Sequence, residues 1–259
     1  MKHNLLLAVK FAKIYLKERY LGTSFGKLWY ILSPLINIFI YTVIFSDFMK
    51  MKLNLNGISS DYSYSIYLIP GILAWTSFAT IIMRLSTSIL EKANLIKKVN
   101  IPIYVYQISI VIVEFIILVI SFILAIIFLL LINHPVTLNF LYLFPILALQ
   151  TLFAFGLGVI FSLFTPFFKD MREAIPIFMQ LWFWGTPIIY VKDIIANKYP
   201  YLLTFNPFYH FVNIYQNIFL YSKAPSLKEI AIVSTLTFGV LLIAVFLYKK
   251  MVAAIKDII

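Results

Sequence analysis

Few side chains in this chain of 259 residues could do covalent chemistry, and their spacing argues against most of it. No cysteine is present, which excludes a disulfide scaffold, a thiol nucleophile and a cysteine zinc site together. His3, His134 and His210 stand far apart, with no carboxylate at metal-ligand spacing, so no metal site is expected. Asp170 and Glu173 could share a helix face, as paired catalytic carboxylates do. With Lys169 and Arg172 beside them, they fit better as a solvated charge cluster at a helix start. GTSFGK, Gly22 to Lys27, imitates a phosphate loop, but three residues separate its glycines where four are required. Leu28 also stands where Ser or Thr belongs, and no βα unit aims backbone amides at a phosphate.

The remaining candidates bind rather than react. Arg84 and Glu114 lie inside apolar runs, where an ionisable residue is a functional candidate by default. Arg84 can snorkel to headgroups or meet an anionic substrate group, and either keeps its charge solvated. Glu114 must face protein or a wet cavity, because lipid exposure costs about 2.5–3.5 kcal/mol or more. A second group is aromatic: Trp182, Phe183, Trp184 and Tyr190, followed by YLLTFNPFYHFVNIYQNIFLY at Tyr201 to Tyr221, which contains Phe208 and Tyr215. Rings stack on sugar faces through dispersion and CH contacts without a unique hydrogen-bond pattern, so a chain can slide past them. The competing reading is an interfacial aromatic belt, which suffices for Tyr62, Tyr64, Tyr67, Tyr104 and Tyr106.

Composition names the solvent in which these groups work. The chain is 63% apolar and 12% charged, whereas a soluble domain uses roughly 25% charged residues. Six stretches are long and apolar enough to cross about 30 Å of hydrocarbon. They run over Trp29 to Phe48, Ile66 to Leu90, Tyr104 to Ile132, Leu138 to Phe164, Ile175 to Val191 and Glu229 to Tyr248. The expectation is an all-α integral membrane protein with six transmembrane helices, one domain over 1–259. The net charge of +11 lies between apolar runs rather than on a soluble face, which excludes nucleic acid and reads as topology signals and contacts with membrane lipids. Lys and Arg are concentrated in the segments that become cytoplasmic when both termini are inside.

Three further elements complete the layout. Residues 1–28 read as an N-terminal interfacial helix, with Lys10, Lys13 and Lys17 on one strip and Leu5, Val9, Ala12, Leu16 and Tyr20 on the next. Residues 91–102, EKANLIKKVNIP, read as a short amphipathic cytoplasmic helix stopped before Pro102. Its Leu95 and Ile96 are apolar and its Glu91, Lys92, Lys97 and Lys98 charged, which suits docking on a soluble partner or lying on lipid. Residues 201–221 are too apolar for an exposed loop and are broken by Asn206 and Pro207, which predicts two short re-entrant external helices between spans 5 and 6.

Four pieces together resemble the permease subunits of ABC-2 type exporters, especially those for O antigen, capsule and teichoic acid. They are ERYLGTSFGKLWYILSPL at Glu18 to Leu35, NLIKKVNIPIY at Asn94 to Tyr104, FKDMREAIPIFMQLWFWGTPIIY at Phe168 to Tyr190, and NPFYHFVNIYQNIFL at Asn206 to Leu220. The resemblance implies a homodimer in the cytoplasmic (inner) membrane, paired with two copies of a separate ABC ATPase that binds the ATP and Mg, so that this chain needs no cofactor of its own. It implies that residues 91–102 form the coupling helix and residues 201–221 the external gate helices. It also implies a polyprenyl-pyrophosphate-linked polysaccharide as substrate. For such a substrate the basic entry and aromatic exit of this chain give the expectation that Arg19, Lys27 and Arg84 receive the lipid pyrophosphate and that Trp182, Phe183, Trp184, Tyr190, Phe208 and Tyr215 line the channel. The chain departs from the family pattern at Tyr209, His210 and Phe211, where a polar or charged residue often follows the asparagine-proline turn. An exporter of small hydrophobic compounds and a membrane-embedded glycosyltransferase are the competing readings.

Overall fold

Runs rich in Ile, Val and Phe would suit strands in water, yet hydrocarbon offers no partner for an open sheet edge, and such runs satisfy their own amides only as helices. The structure is a computed structural model, and it describes residues 2–19, 21–49, 61–93, 101–192, 196 and 198–258. Nine α-helices are found there: α1 (Lys2–Glu18), α2 (Trp29–Thr42), α3 (Ser63–Glu91), α4 (Ile103–Leu131), α5 (Leu143–Phe164), α6 (Met171–Trp184), α7 (Pro200–Phe205), α8 (Pro207–Tyr221) and α9 (Leu227–Ile258). Among the described residues there is no strand.

Five stretches are long and apolar enough to cross a membrane: Gly26–Ser46, Ser63–Glu91, Ile103–Leu131, Leu138–Phe164 and Leu227–Ile255. The chain is therefore a multi-pass membrane protein. The segment expected as the fifth of six spans behaves differently. Helix α6 has 14 residues, about 21 Å of rise, and stops at Gly185, after which the backbone bends through Tyr190. That is short of the roughly 30 Å hydrocarbon layer, because Gly185, Thr186 and Pro187 end the helix inside the apolar run.

Helix α3 is the axis of the bundle, packed by α4, α5, α6 and α8, and most of its side chains are buried. Helix α5 lies between α3 and α9 at close range because it carries glycine where they touch. A Cβ on Gly158 would stand 2.6 Å from Leu85 Cδ1, and one on Gly156 would stand 2.8 Å from Val240 Cγ1. Small residues at such crossings replace the hydrophobic drive that lipid removes. Buried amides fix the register: Gln107 Nε2 of α4 donates to Ser162 Oγ of α5 at 2.8 Å and Ser88 Oγ of α3 at 3.3 Å, and Gln150 Nε2 of α5 donates to Ala74 O of α3 at 3.0 Å.

Helix α1 packs along the first half of α4 through Ala8 and Ala12, which are buried. Asn4 Nδ2 donates to the Tyr104 hydroxyl at 2.7 Å, and at the other end Arg19 reaches Glu114. Lys10, Lys13 and Lys17 are exposed, as are Leu5, Leu6 and Ile14. Helices α2 and α9 are peripheral and keep large apolar side chains outward, Phe39 and Phe246 among them.

Candidate functional site

The stretch Tyr201 to Tyr221 folds as two helices, α7 and α8, hinged at Asn206. Pro207 occupies the first position of α8, where its missing N–H is no loss, and Asn206 caps the helix from the position before. Asn206 Oδ1 accepts from the Phe208 and Tyr209 amides at 3.1 and 3.3 Å and from Trp182 Nε1 at 2.9 Å. Its Nδ2 donates to Gly185 O at 3.1 Å and to Thr186 Oγ1 at 2.8 Å. One buried amide thus joins the break after α6 to the break between α7 and α8, satisfying backbone groups that lipid could not.

The expected channel aromatics divide into three sets. Trp182 turns inward, with ring centroids 6.1 Å from Trp75, 5.3 Å from Phe78 and 5.5 Å from Phe178. Phe208 and Tyr215 are fully buried: Phe208 stacks on Phe78 at 4.2 Å, and Tyr215 meets Phe122 at 5.1 Å. Within this one chain Phe208 and Tyr215 are core, and Trp182 is half-buried against that core. Trp184, 57% exposed, lies on the outer face of α6 beside exposed Leu181 and Ile177. The Tyr190 hydroxyl donates to Trp184 O at 2.7 Å. Phe183 is half-buried and lines an open groove of about 930 Å³ between α2, α3 and α6, together with Tyr41, Phe45, Trp75 and Gln180. Sequence reasoning missed Tyr41, Phe45, Trp75 and Gln180, because nothing in a helical run says which residues meet across a groove.

Two of the three expected entry cations come together on one carboxylate. Glu114 Oε1 accepts from Arg19 Nη1 at 2.9 Å and from Arg84 Nη1 at 3.0 Å. The Glu114 side chain is 4% exposed, those of Arg19 and Arg84 21% and 31%. Arg84 also donates to the Tyr15 hydroxyl and lies over the Tyr15 ring, while Arg19 stands 6.0 Å from the Tyr30 ring centroid. The cluster ties α1 to α3 and α4, and it answers the depth problem that each charge poses alone, since every member has an opposite partner. Lys27 stays apart, exposed on the turn before α2.

Of the expected coupling residues, Glu91 accepts from Thr87 Oγ1 at 2.6 Å, and Lys92 Nζ lies 5.3 Å from the Tyr106 ring centroid. Leu95, Ile96, Lys97 and Lys98 lie outside the described residues. His134 and His210 each meet a backbone carbonyl, of Phe219 at 2.8 Å and Thr204 at 3.2 Å. Asp170 and Glu173 are exposed at the start of α6. Among the described residues, no group of three or more His, Cys, Asp or Glu side chains could hold a metal ion.

A bundle of apolar helices with an aromatic groove on one side and a paired ion cluster inside is what the comparisons with known proteins must account for. The chain is 31% identical over 206 residues to the O-antigen export system permease protein RfbA of Klebsiella pneumoniae, covering 79% of this chain and 76% of that protein. It is 24% identical over 227 residues to a protein of the same name from Myxococcus xanthus, covering 83% and 80%. The sequence model of the ABC-2 type transporter matches residues 11–220, which takes in α2 through α8, the groove and the ion cluster. On that match the chain belongs to the ABC-2 type transporter family, whose members are transport subunits rather than ATPases.

Proposed function

We propose that this chain is the permease subunit of an ATP-driven exporter that carries a polyprenyl-pyrophosphate-linked polysaccharide across the cytoplasmic membrane. Two copies form the pathway, and two copies of a separate ABC ATPase bind ATP and Mg and supply the force. The termini are cytoplasmic, α1 lies at the inner interface, and α7 and α8 form the outer gate. Residues 91–102 dock on the ATPase, and Arg19, Lys27 and Arg84 receive the anionic lipid head.

The observation that carries this reading is the groove between α2, α3 and α6. It is open, lined by Tyr41, Phe45, Trp75 and Phe183 with Gln180 among them, and flanked by the apolar outer face of α6. A second copy laid against that face turns an open groove into a closed passage walled by rings. Such walls grip each sugar weakly and let the next one follow. The relatives' names, O-antigen export permeases, support the substrate class.

The test is genetic. Deleting this gene while keeping its ATPase should abolish surface polysaccharide and leave lipid-linked polymer inside the cell, and restoring the wild-type chain should reverse both. Unchanged surface polymer after deletion would overturn the reading; efflux of small amphiphiles lost in its place would favour an exporter of hydrophobic compounds.

A further inference from the structure

Behind the aromatic groove lies a second space with a different lining. It is a chamber of about 100 Å³ between α2, α3 and α4, bounded by Asn37 of α2, by Thr76, Ser77 and Thr80 of α3, and by Ser121 of α4. Glu114 and Arg19, already bonded to each other, close one end of it. Thr76 lines both spaces, and Asn37 stands about one helical turn before the groove's Tyr41, so chamber and groove meet at the gap between α2 and α3. Uncharged polar side chains at such positions in apolar helices belong where protein or a wet cavity covers them.

The hydrogen-bonding capacity of this chamber is only partly used. Thr76 Oγ1 and Ser121 Oγ donate to the carbonyls of Ile72 and Ile117 on their own helices, each at 2.8 Å, which leaves their oxygens able to accept. Ser77 Oγ is buried, lines the chamber and has no hydrogen-bond partner among the described residues. A hydroxyl left so is costly unless something in the chamber meets it. The space gives room for several waters, or for one small group with donors and acceptors of its own.

We infer that the chamber is a side pocket of the groove that takes a neutral polar arm of a passing sugar, a hydroxymethyl or acetamido group, while the sugar ring stacks on the aromatic wall. Waters fill it between sugars. Rings grip the faces of different sugars alike, because stacking asks for no particular hydrogen bond. Ser77, Asn37 and Thr80 add directional bonds, and a site built on such bonds rejects a substrate that leaves them unmade. The pocket supplies the selectivity that the groove lacks. This inference rests on the groove being the glycan's path, and it names the residues that read the sugar there.

Thiol labelling and transport by the full chain, reconstituted with its ATPase, test it. The chain has no cysteine, so Ser77→Cys and Asn37→Cys each carry a single thiol. Both should react with a charged, membrane-impermeant methanethiosulfonate, and the native lipid-linked glycan should slow that reaction severalfold. Leu242→Cys, on the exposed apolar side of α9, should not react. Ser77→Ala and Asn37→Leu should each slow ATP-driven transport of the glycan about fivefold, the loss of one neutral hydrogen bond. Ser77→Ala should do so with an unfolding free energy unchanged or raised, because it removes an unpartnered hydroxyl; should Asn37→Leu fail to fold, this variant still decides. Unreactive thiols, labelling that the glycan leaves unchanged, full transport by the variants, or transport lost only in step with stability would overturn the inference and leave the export reading standing. A wild-type complex that moves no glycan would overturn both.

Discussion

Replacing Asn206 with alanine removes five hydrogen bonds at one stroke, and the geometry separates their contributions. The cap on α8, through the Phe208 and Tyr209 amides, is worth about 1 kcal/mol. Leaving the Trp182 indole N–H without its 2.9 Å acceptor costs about 1 kcal/mol more. The two bonds from Nδ2 to Gly185 O and Thr186 Oγ1 add about 0.6 kcal/mol each, the value typical inside membranes. Because these bonds form one network they do not simply add, and the loss should be about 2–4 kcal/mol. Asn206→Ser keeps the cap but is too short to reach Trp182 or Gly185, so it should be less damaging by about 1 kcal/mol. Unfolding free energies from SDS titration in mixed micelles, followed by tryptophan fluorescence, measure both. A change below about 0.5 kcal/mol for alanine would refute the network's role; serine as damaging as alanine would refute the cap.

Gly158→Ala places a methyl 2.6 Å from Leu85 Cδ1 and should destabilise the α3–α5 crossing by about 1–3 kcal/mol in the same titration, whereas an alanine at Gly239, which meets nothing within 4 Å, should cost nothing measurable. Glu114→Ala removes the carboxylate that Arg19 and Arg84 share at membrane depth, so its cost should be about 3–5 kcal/mol, and the Arg84→Gln, Glu114→Gln double-mutant cycle should show a coupling energy distinct from zero. Phe183→Ala should reduce surface polysaccharide at a stability cost of about 1 kcal/mol, because its half-buried ring lines the groove and meets Trp75 at 5.6 Å, while Trp182→Ala should cost about 2–4 kcal/mol, because its ring packs on Trp75 and Phe78.

Sequence alone located the apolar runs well, since length and hydropathy decide them locally. Leu138 to Phe164 is recovered with the same ends, and Ser63–Glu91 and Ile103–Leu131 differ from expectation by a few residues. The last helix runs ten residues beyond Tyr248, because nothing in the polar KKMVAAIKDI stops a helix that has left the apolar layer. The expected fifth span mixes two signals: Ile175 to Val191 is apolar enough to cross, but its Gly-Thr-Pro ends the helix after Trp184. Asn206–Pro207 was legible as a break, yet the bond from Trp182 to Asn206 was not, since that depends on how α6 meets α8. The same limit applies to the rings. Composition marks Trp182, Phe183, Phe208 and Tyr215 alike, and only helix rotation sends Phe183 to the groove and Phe208 and Tyr215 to the core. Glu114 needed a partner by energetics, but that Arg84 and Arg19 both supply it is a fact of packing between elements distant in sequence.

The most direct measurement of the central claim is transport in proteoliposomes holding this chain, its cognate ATPase and a radiolabelled lipid-linked glycan. ATP should move the glycan to the opposite leaflet at a rate that Phe183→Ala and Trp75→Ala reduce, and a hydrolysis-dead ATPase should stop it. Glycan crossing at the same rate with no ATPase present, or at a rate indifferent to every groove ring, would contradict it.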